Sequence, residues 1–169
     1  MAGEKFVQHD GVGGLKEIEA VQTGGNGAED RIPSLDASGK LDQSMMPTGV
    51  GADTVTVPAS ENLAAGDFVN LWDNAGTVNV RKADATTVGK EAHGFVKVAV
   101  VTNNSATVYV EGNNSALTGQ SVGKHFLSTT AGQSTTTAPS SSGNIVQEVG
   151  FCTSATNVSF EPSKSVELA

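Results

Sequence analysis

Phe68-Val69-Asn70-Leu71-Trp72-Asp73-Asn74-Ala75-Gly76-Thr77-Val78-Asn79-Val80 reads as two strands joined by a turn. Apolar and β-branched residues fill both flanks, and Asp73 to Gly76 supply the turn chemistry between them. The pattern continues in both directions. Upstream, Thr54-Val55-Thr56-Val57 alternates with a period of two, and Asn62 to Ala65 reads as a loop or single turn. Downstream, Phe95 to Val101 reads as one long apolar strand with Lys97 inside it. Asn103 and Asn104 turn it into Thr107 to Glu111, a second hairpin. Then come a strand at His125-Phe126-Leu127, a turn at Ala131-Gly132, and a polar strand or loop at Thr135-Thr136-Thr137. Strands over Ile145 to Phe151 and Asn157 to Phe160 bring the total to about eight or nine, the spacing of a sandwich or barrel. The expectation is an all-β chain, with a compact barrel- or sandwich-like domain over residues 51–169.

The domain repeats itself. Gly66-Asp67-Phe68-Val69 resembles Gly123-Lys124-His125-Phe126, Gly94-Phe95-Val96 resembles Gly150-Phe151-Cys152, and Val108 to Glu111 resembles Val158 to Glu161. The physical reading is one β-unit present twice, each copy closing the other's open sheet edge.

Residues 1–50 read as an extended N-terminal arm. Nine of these fifty residues are glycine, and no period persists. Leu15, Ile18 and Val21 share a face at helical spacing, so one short helical turn is expected over residues 15–21. Asp36 to Gly39 is a turn, with Asp first and Gly fourth. Such a segment holds too little apolar surface to fold alone and is expected to lie on a partner. Its candidate partner contacts are Phe6, Ile32, Leu35, Leu41, Met45, Met46 and Pro47.

Net charge is −8, and residues 1–50 hold 4 of the 10 basic and 8 of the 18 acidic residues, so each part carries −4. Neither has a basic patch to neutralise phosphates, so no nucleic-acid partner is expected. No apolar run approaches a membrane span, and no membrane partner is expected. The lone Cys152 follows Gly150-Phe151 in an apolar run and reads as a buried, inert thiol.

No catalytic constellation stands out. His9 lies in the glycine-rich arm, while His93 and His125 read as half-buried strand residues. Neither His-x-x-x-His nor Cys-x-x-Cys occurs to hold zinc, and Gly-x-Ser-x-Gly is absent. Residues 36–42 have too few alternating acceptors for a calcium loop. The expectation is a protein that is not an enzyme and needs no cofactor.

Several segments resemble a known family. Ile32-Pro33-Ser34-Leu35-Asp36-Ala37-Ser38-Gly39-Lys40-Leu41-Asp42, with the following Met45-Met46-Pro47, is similar to an arm found in decoration and fibre-like proteins of tailed-phage heads. Ala59 to Asn70, Val80 to Ala85, Leu127 to Gly132 and Gly143 to Gly150 resemble the β-domain of the capsid decoration, or cement, proteins. The likeness runs from about residue 30 to about residue 162. It implies a virion protein on the outer capsid surface, made in the host cytoplasm, whose partners are the major capsid protein and itself, as a homotrimer. A second function fits the same strands: a tail-associated or head-fibre adhesin that binds host carbohydrate, with Trp72 as the candidate aromatic platform.

Overall fold

In a computed structural model the described residues are 5–25, 28–29, 31–46 and 52–169. They contain strands and one 3-10 turn, with no α-helix among them. The chain divides into two units, residues 1–51 and 52–169.

In the first unit β1 (Lys5–His9) and β2 (Leu15–Glu19) form an antiparallel hairpin. Asp10 builds its turn by accepting the amides of Val12 at 2.9 Å and Gly14 at 2.8 Å. These amides, Val12 first, hold the Asp10 carboxyl below the usual carboxylate range. The helical turn expected over residues 15–21 is therefore absent. Ile18 faces Phe6 across the ladder, and Lys5 pairs with Glu17 at 2.8 Å. A single turn of seven residues cannot repay helix nucleation, whereas pairing with β1 satisfies the same backbone groups at once. Val21 then bridges Pro33 in parallel, and Gln43–Met45 forms the 3-10 turn.

The second unit carries β3 (Thr54–Pro58), β4 (Phe68–Asn74), β5 (Thr77–Lys82), β6 (Gly94–Val96) and β7 (Ser105–Tyr109). These pair in the order β3-β7-β6-β4-β5. A second sheet uses β8 (Gly112–Asn114), β9 (Gly123–Leu127), β10 (Ser134–Thr135), β12 (Glu148–Ser154) and β13 (Asn157–Phe160), in the order β8-β13-β12-β9-β10. Between them in sequence, β11 (Ile145–Val146) pairs with the terminal β14 (Val166–Glu167). The result is a sandwich-like all-β fold with open sheets. No barrel closes, because β3 and β5 remain edge strands joined only by the bridge from Ala59 to Val80.

Two expected strands are cut short. Ile145 to Phe151 splits at Gln147, whose buried side-chain amide substitutes for a strand partner. It accepts from Ala92 N at 2.8 Å and donates to Ala92 O at 3.0 Å. Phe95 to Val101 ends at Val96, after which Val100 pairs with Leu63 in both directions at 2.8 and 2.9 Å.

The repeat in the sequence is a repeat in topology. β3, β4, β5, β6 and β7 occupy the places of β8, β9, β10, β12 and β13 in their sheets. The register of β6 on β7 agrees with that of β12 on β13. Phe95 faces Tyr109 and Val96 faces Val108, as Phe151 faces Ser159 and Cys152 faces Val158. On the other side, however, Phe95 faces Phe68 but Phe151 faces Lys124, one residue before His125. The paired Gly-Phe steps have a shared cause. A side chain at Gly94 would meet Tyr109 O at 2.5 Å, and one at Gly150 would meet Ser159 O at 1.8 Å. Only glycine lets the neighbouring strand approach so closely.

The copies meet face to face as well as at an edge. Phe68 and Phe95 of the first sheet share a core with Leu127, Val149, Cys152, Val158 and Phe160 of the second. Phe160 is its hub, 5.9 Å from the Phe68 ring and 5.7 Å from Phe95. A second core lies on the other face of the first sheet, where Ala59 and Leu63 cover Val69, Val80, Val96 and Val108. The edge contact is narrower: Gly132, in the turn after β9, accepts from Phe68 N at 2.9 Å and donates to Ala83 O at 2.8 Å.

Cys152 is buried in the shared core and its thiol donates to Ser154 O at 3.0 Å. A serine hydroxyl could donate to the same carbonyl. Cys152→Ser is therefore expected to fold, with a loss of about 1–3 kcal/mol from burying a more polar group. Urea midpoints of the two proteins measure this; a loss beyond that range would mean that the core does not tolerate the hydroxyl.

Asp67 is buried beside Gly132, accepts from Ala64 N at 2.8 Å and lies 3.4 Å from the Lys82 ammonium. Burial raises its carboxyl above the usual range, and the Ala64 amide and Lys82 only partly offset this. The folded state thus holds the proton more tightly than the unfolded state. The resulting stability is fully present below the unfolded value of about 4 and is lost as pH rises through the folded value. Asp67→Asn should flatten that part of the stability profile. Urea midpoints at a series of pH values for both proteins test this, and parallel profiles would contradict it.

Candidate interaction surface

The partner contacts expected from sequence lie in the first unit, and the structure leaves most of them uncovered there. Ile32 is 51 % and Leu35 56 % exposed, while Leu41 and Met46 are also exposed. Their backbone is nevertheless tied down. Ile32 O accepts from Val21 N at 3.1 Å, and Leu35 O accepts from the Gln22 amide at 3.3 Å. The next turn is closed by Asp36, whose carboxylate accepts from Ser38 N at 2.8 Å and Lys40 N at 2.9 Å. Gly39, fourth in that turn, takes a positive φ of 73°. Ile32 and Leu35 therefore project from a braced loop.

Phe6 and Met45 are half-buried, the first opposite Ile18 in the hairpin and the second in the 3-10 turn. Pro47 lies outside the described residues. The sequence reading missed Val12 and Leu15, which are more exposed than any of these, Leu15 at 74 %. Its spacing from Ile18 and Val21 places Leu15 on a helical face. Only the pairing of β2 with β1 shows that its side chain has no cover.

The second unit also shows uncovered apolar residues. Phe151 is 49 % exposed, although its counterpart Phe95 is buried. The copies stack in one direction, so the second sheet's outer face lacks the cover that the first sheet receives. Phe151 is bordered there by the ion pair of Lys124 with Glu148 at 2.9 Å.

The remaining sequence candidates have structural partners. The His125 ring is buried; its Nε2 donates to Ser121 O at 2.8 Å, and Nδ1 lies 2.9 Å from the Ser134 hydroxyl. His93 lies in an exposed loop instead of a strand, with Nδ1 accepting from Leu71 N at 3.1 Å. The half-buried Trp72 has the Arg81 guanidinium 4.7 Å above its ring, and Nε1 donates to Ser60 Oγ at 3.4 Å. Among the described residues no group of three or more His, Cys, Asp or Glu is placed to hold a metal ion.

Compared with known proteins, the chain matches no family model, no curated protein and no solved structure.

Proposed function

We propose that this chain is a structural protein of a tailed-phage particle, a capsid decoration protein that clamps neighbouring subunits of the major capsid protein. The observation that carries the reading is the exposure of Ile32, Leu35, Leu41 and Met46 in the first of the chain's two units, Ile32 and Leu35 on braced backbone. Exposed apolar side chains are common singly, but four of them within residues 32–46 suit burial against another surface. The segment that carries them is the one that resembles the arm of phage head proteins.

The mechanism is additive binding. The β-domain self-associates, as a trimer by the resemblance, and the N-terminal unit lies across adjoining capsomers. Ordering a residue costs about 1–2 kcal/mol, which burial of the displayed side chains and backbone pairing with shell strands must offset. Many copies on one shell then act by avidity. The adhesin reading gains no support from Trp72, because Arg81 already occupies one face of its ring.

Purified protein mixed with undecorated capsids should co-sediment, saturate, and raise the temperature at which the shells release DNA. Absence of binding at micromolar protein would remove the proposal.

A further inference from the structure

Where β6 leaves the first sheet it opens a slot. Val110 N donates to Asp53 O and Ala59 N to Asn104 O, so the even-numbered residues of β7 turn their backbone groups toward β3. By the alternation of an antiparallel ladder, Ser105, Thr107 and Tyr109 turn theirs toward β6. Tyr109 meets Phe95 there. Thr107 and Ser105 would meet Lys97 and Ala99 if the strand continued as its sequence suggests. It does not, because Val100 swings away to Leu63, and no backbone hydrogen bond joins Lys97, Val98 or Ala99 to Ser105 or Thr107.

The gap is a cleft of about 390 Å³ between the departing chain and β7. Val98, 71 % exposed, and Val101 supply apolar contact along one side, and the hydroxyls of Ser105 and Thr107 lie along the other. At one end the Lys97 ammonium lies 4.3 Å over the Tyr109 ring, with no carboxylate in ion-pair range among the described residues. Unpaired strand backbone, apolar contacts for alternate side chains and a lone cation are what strand addition by an acidic segment uses. The chain itself is a source of such segments, with 18 acidic against 10 basic residues.

We propose that the slot receives an extended acidic segment from a second copy of this chain. The segment pairs with the free backbone groups of Ser105 and Thr107 and sets a carboxylate against Lys97. The proposal locates the self-association named under the function above and stands apart from capsid binding.

Sedimentation equilibrium combined with amide hydrogen exchange on the full chain tests it. The wild type should self-associate, and the Ser105 and Thr107 amides should become protected only in the associated state. Lys97→Glu and Val98→Asp, both at side chains outside the two cores, should each weaken association at least tenfold with unchanged circular dichroism. A chain that stays monomeric, an assembly with those amides unprotected, or unchanged affinity in both variants would overturn the proposal. Protection that appears only when capsids are added would also overturn it, and would give the slot to a strand of the shell. A monomer that still decorates capsids would end this inference and leave the cement function standing.

Discussion

Gly150→Ala should destabilise the β-domain by about 3–5 kcal/mol, a large fraction of the about 5–15 kcal/mol that holds an ordinary chain folded. Two independent faults combine. A Cβ there would lie 1.8 Å from Ser159 O and 2.9 Å from its carbonyl carbon, both backbone atoms of the adjoining strand. The residue also has a φ of 141°, where side chains are rarely accommodated. It sits where the register between β9 and β12 shifts, so the ladder cannot yield without losing pairs on both sides. Gly94→Ala, with the same close approach at 2.5 Å but ordinary φ, should cost less, about 1–3 kcal/mol. Gly76→Ala isolates the other fault. Its φ is 87° with nothing near the added carbon, and about 1–2 kcal/mol is expected. Urea unfolding of the three variants gives the ranking; equal losses would show that close approach of the strands is not what these glycines serve.

Deletion of residues 1–50 should leave a folded β-domain whose affinity for undecorated capsids falls at least tenfold, about 1.4 kcal/mol. The two cores lie entirely within residues 59–160, so their packing survives the cut. The removed part holds Ile32, Leu35, Leu41 and Met46, exposed in the free chain. Among its described residues the only regular sheet is the two-stranded hairpin of β1 and β2, and an isolated hairpin is marginal in water. The same segment should therefore be the first cleaved by protease in free protein and resist cleavage on the shell. Co-sedimentation of full-length and truncated protein makes the measurement. Undiminished binding would assign the capsid contact to the β-domain alone.

The hairpin of β4 and β5 was legible because period-two strands flank a turn whose Gly76 takes positive φ. The duplication was legible through Gly94-Phe95 and Gly150-Phe151, since close strand approach writes a glycine into both copies. Strands β8, β10, β11 and β14, of two or three residues, are too short to show a period. The early end of β6 depends on Leu63, 37 positions before its partner Val100, a contact that no local pattern encodes. Ile18 misled for the same reason: its partner Phe6 lies across a turn, while its spacing from Leu15 and Val21 suits a helix. At the candidate surface, turn chemistry around Asp36 marked Ile32 and Leu35 as residues held out from the chain. The slot beside Lys97 was not legible, because it exists only where an expected strand stops.

A cryo-electron reconstruction of the intact particle tests the cement function most directly. The account predicts a two-sheet β-domain on the outside of the head, repeated with the shell's symmetry, with residues 31–46 laid over adjoining capsid subunits. Density for this chain at the tail or on fibre tips, with a bare head surface, would contradict it.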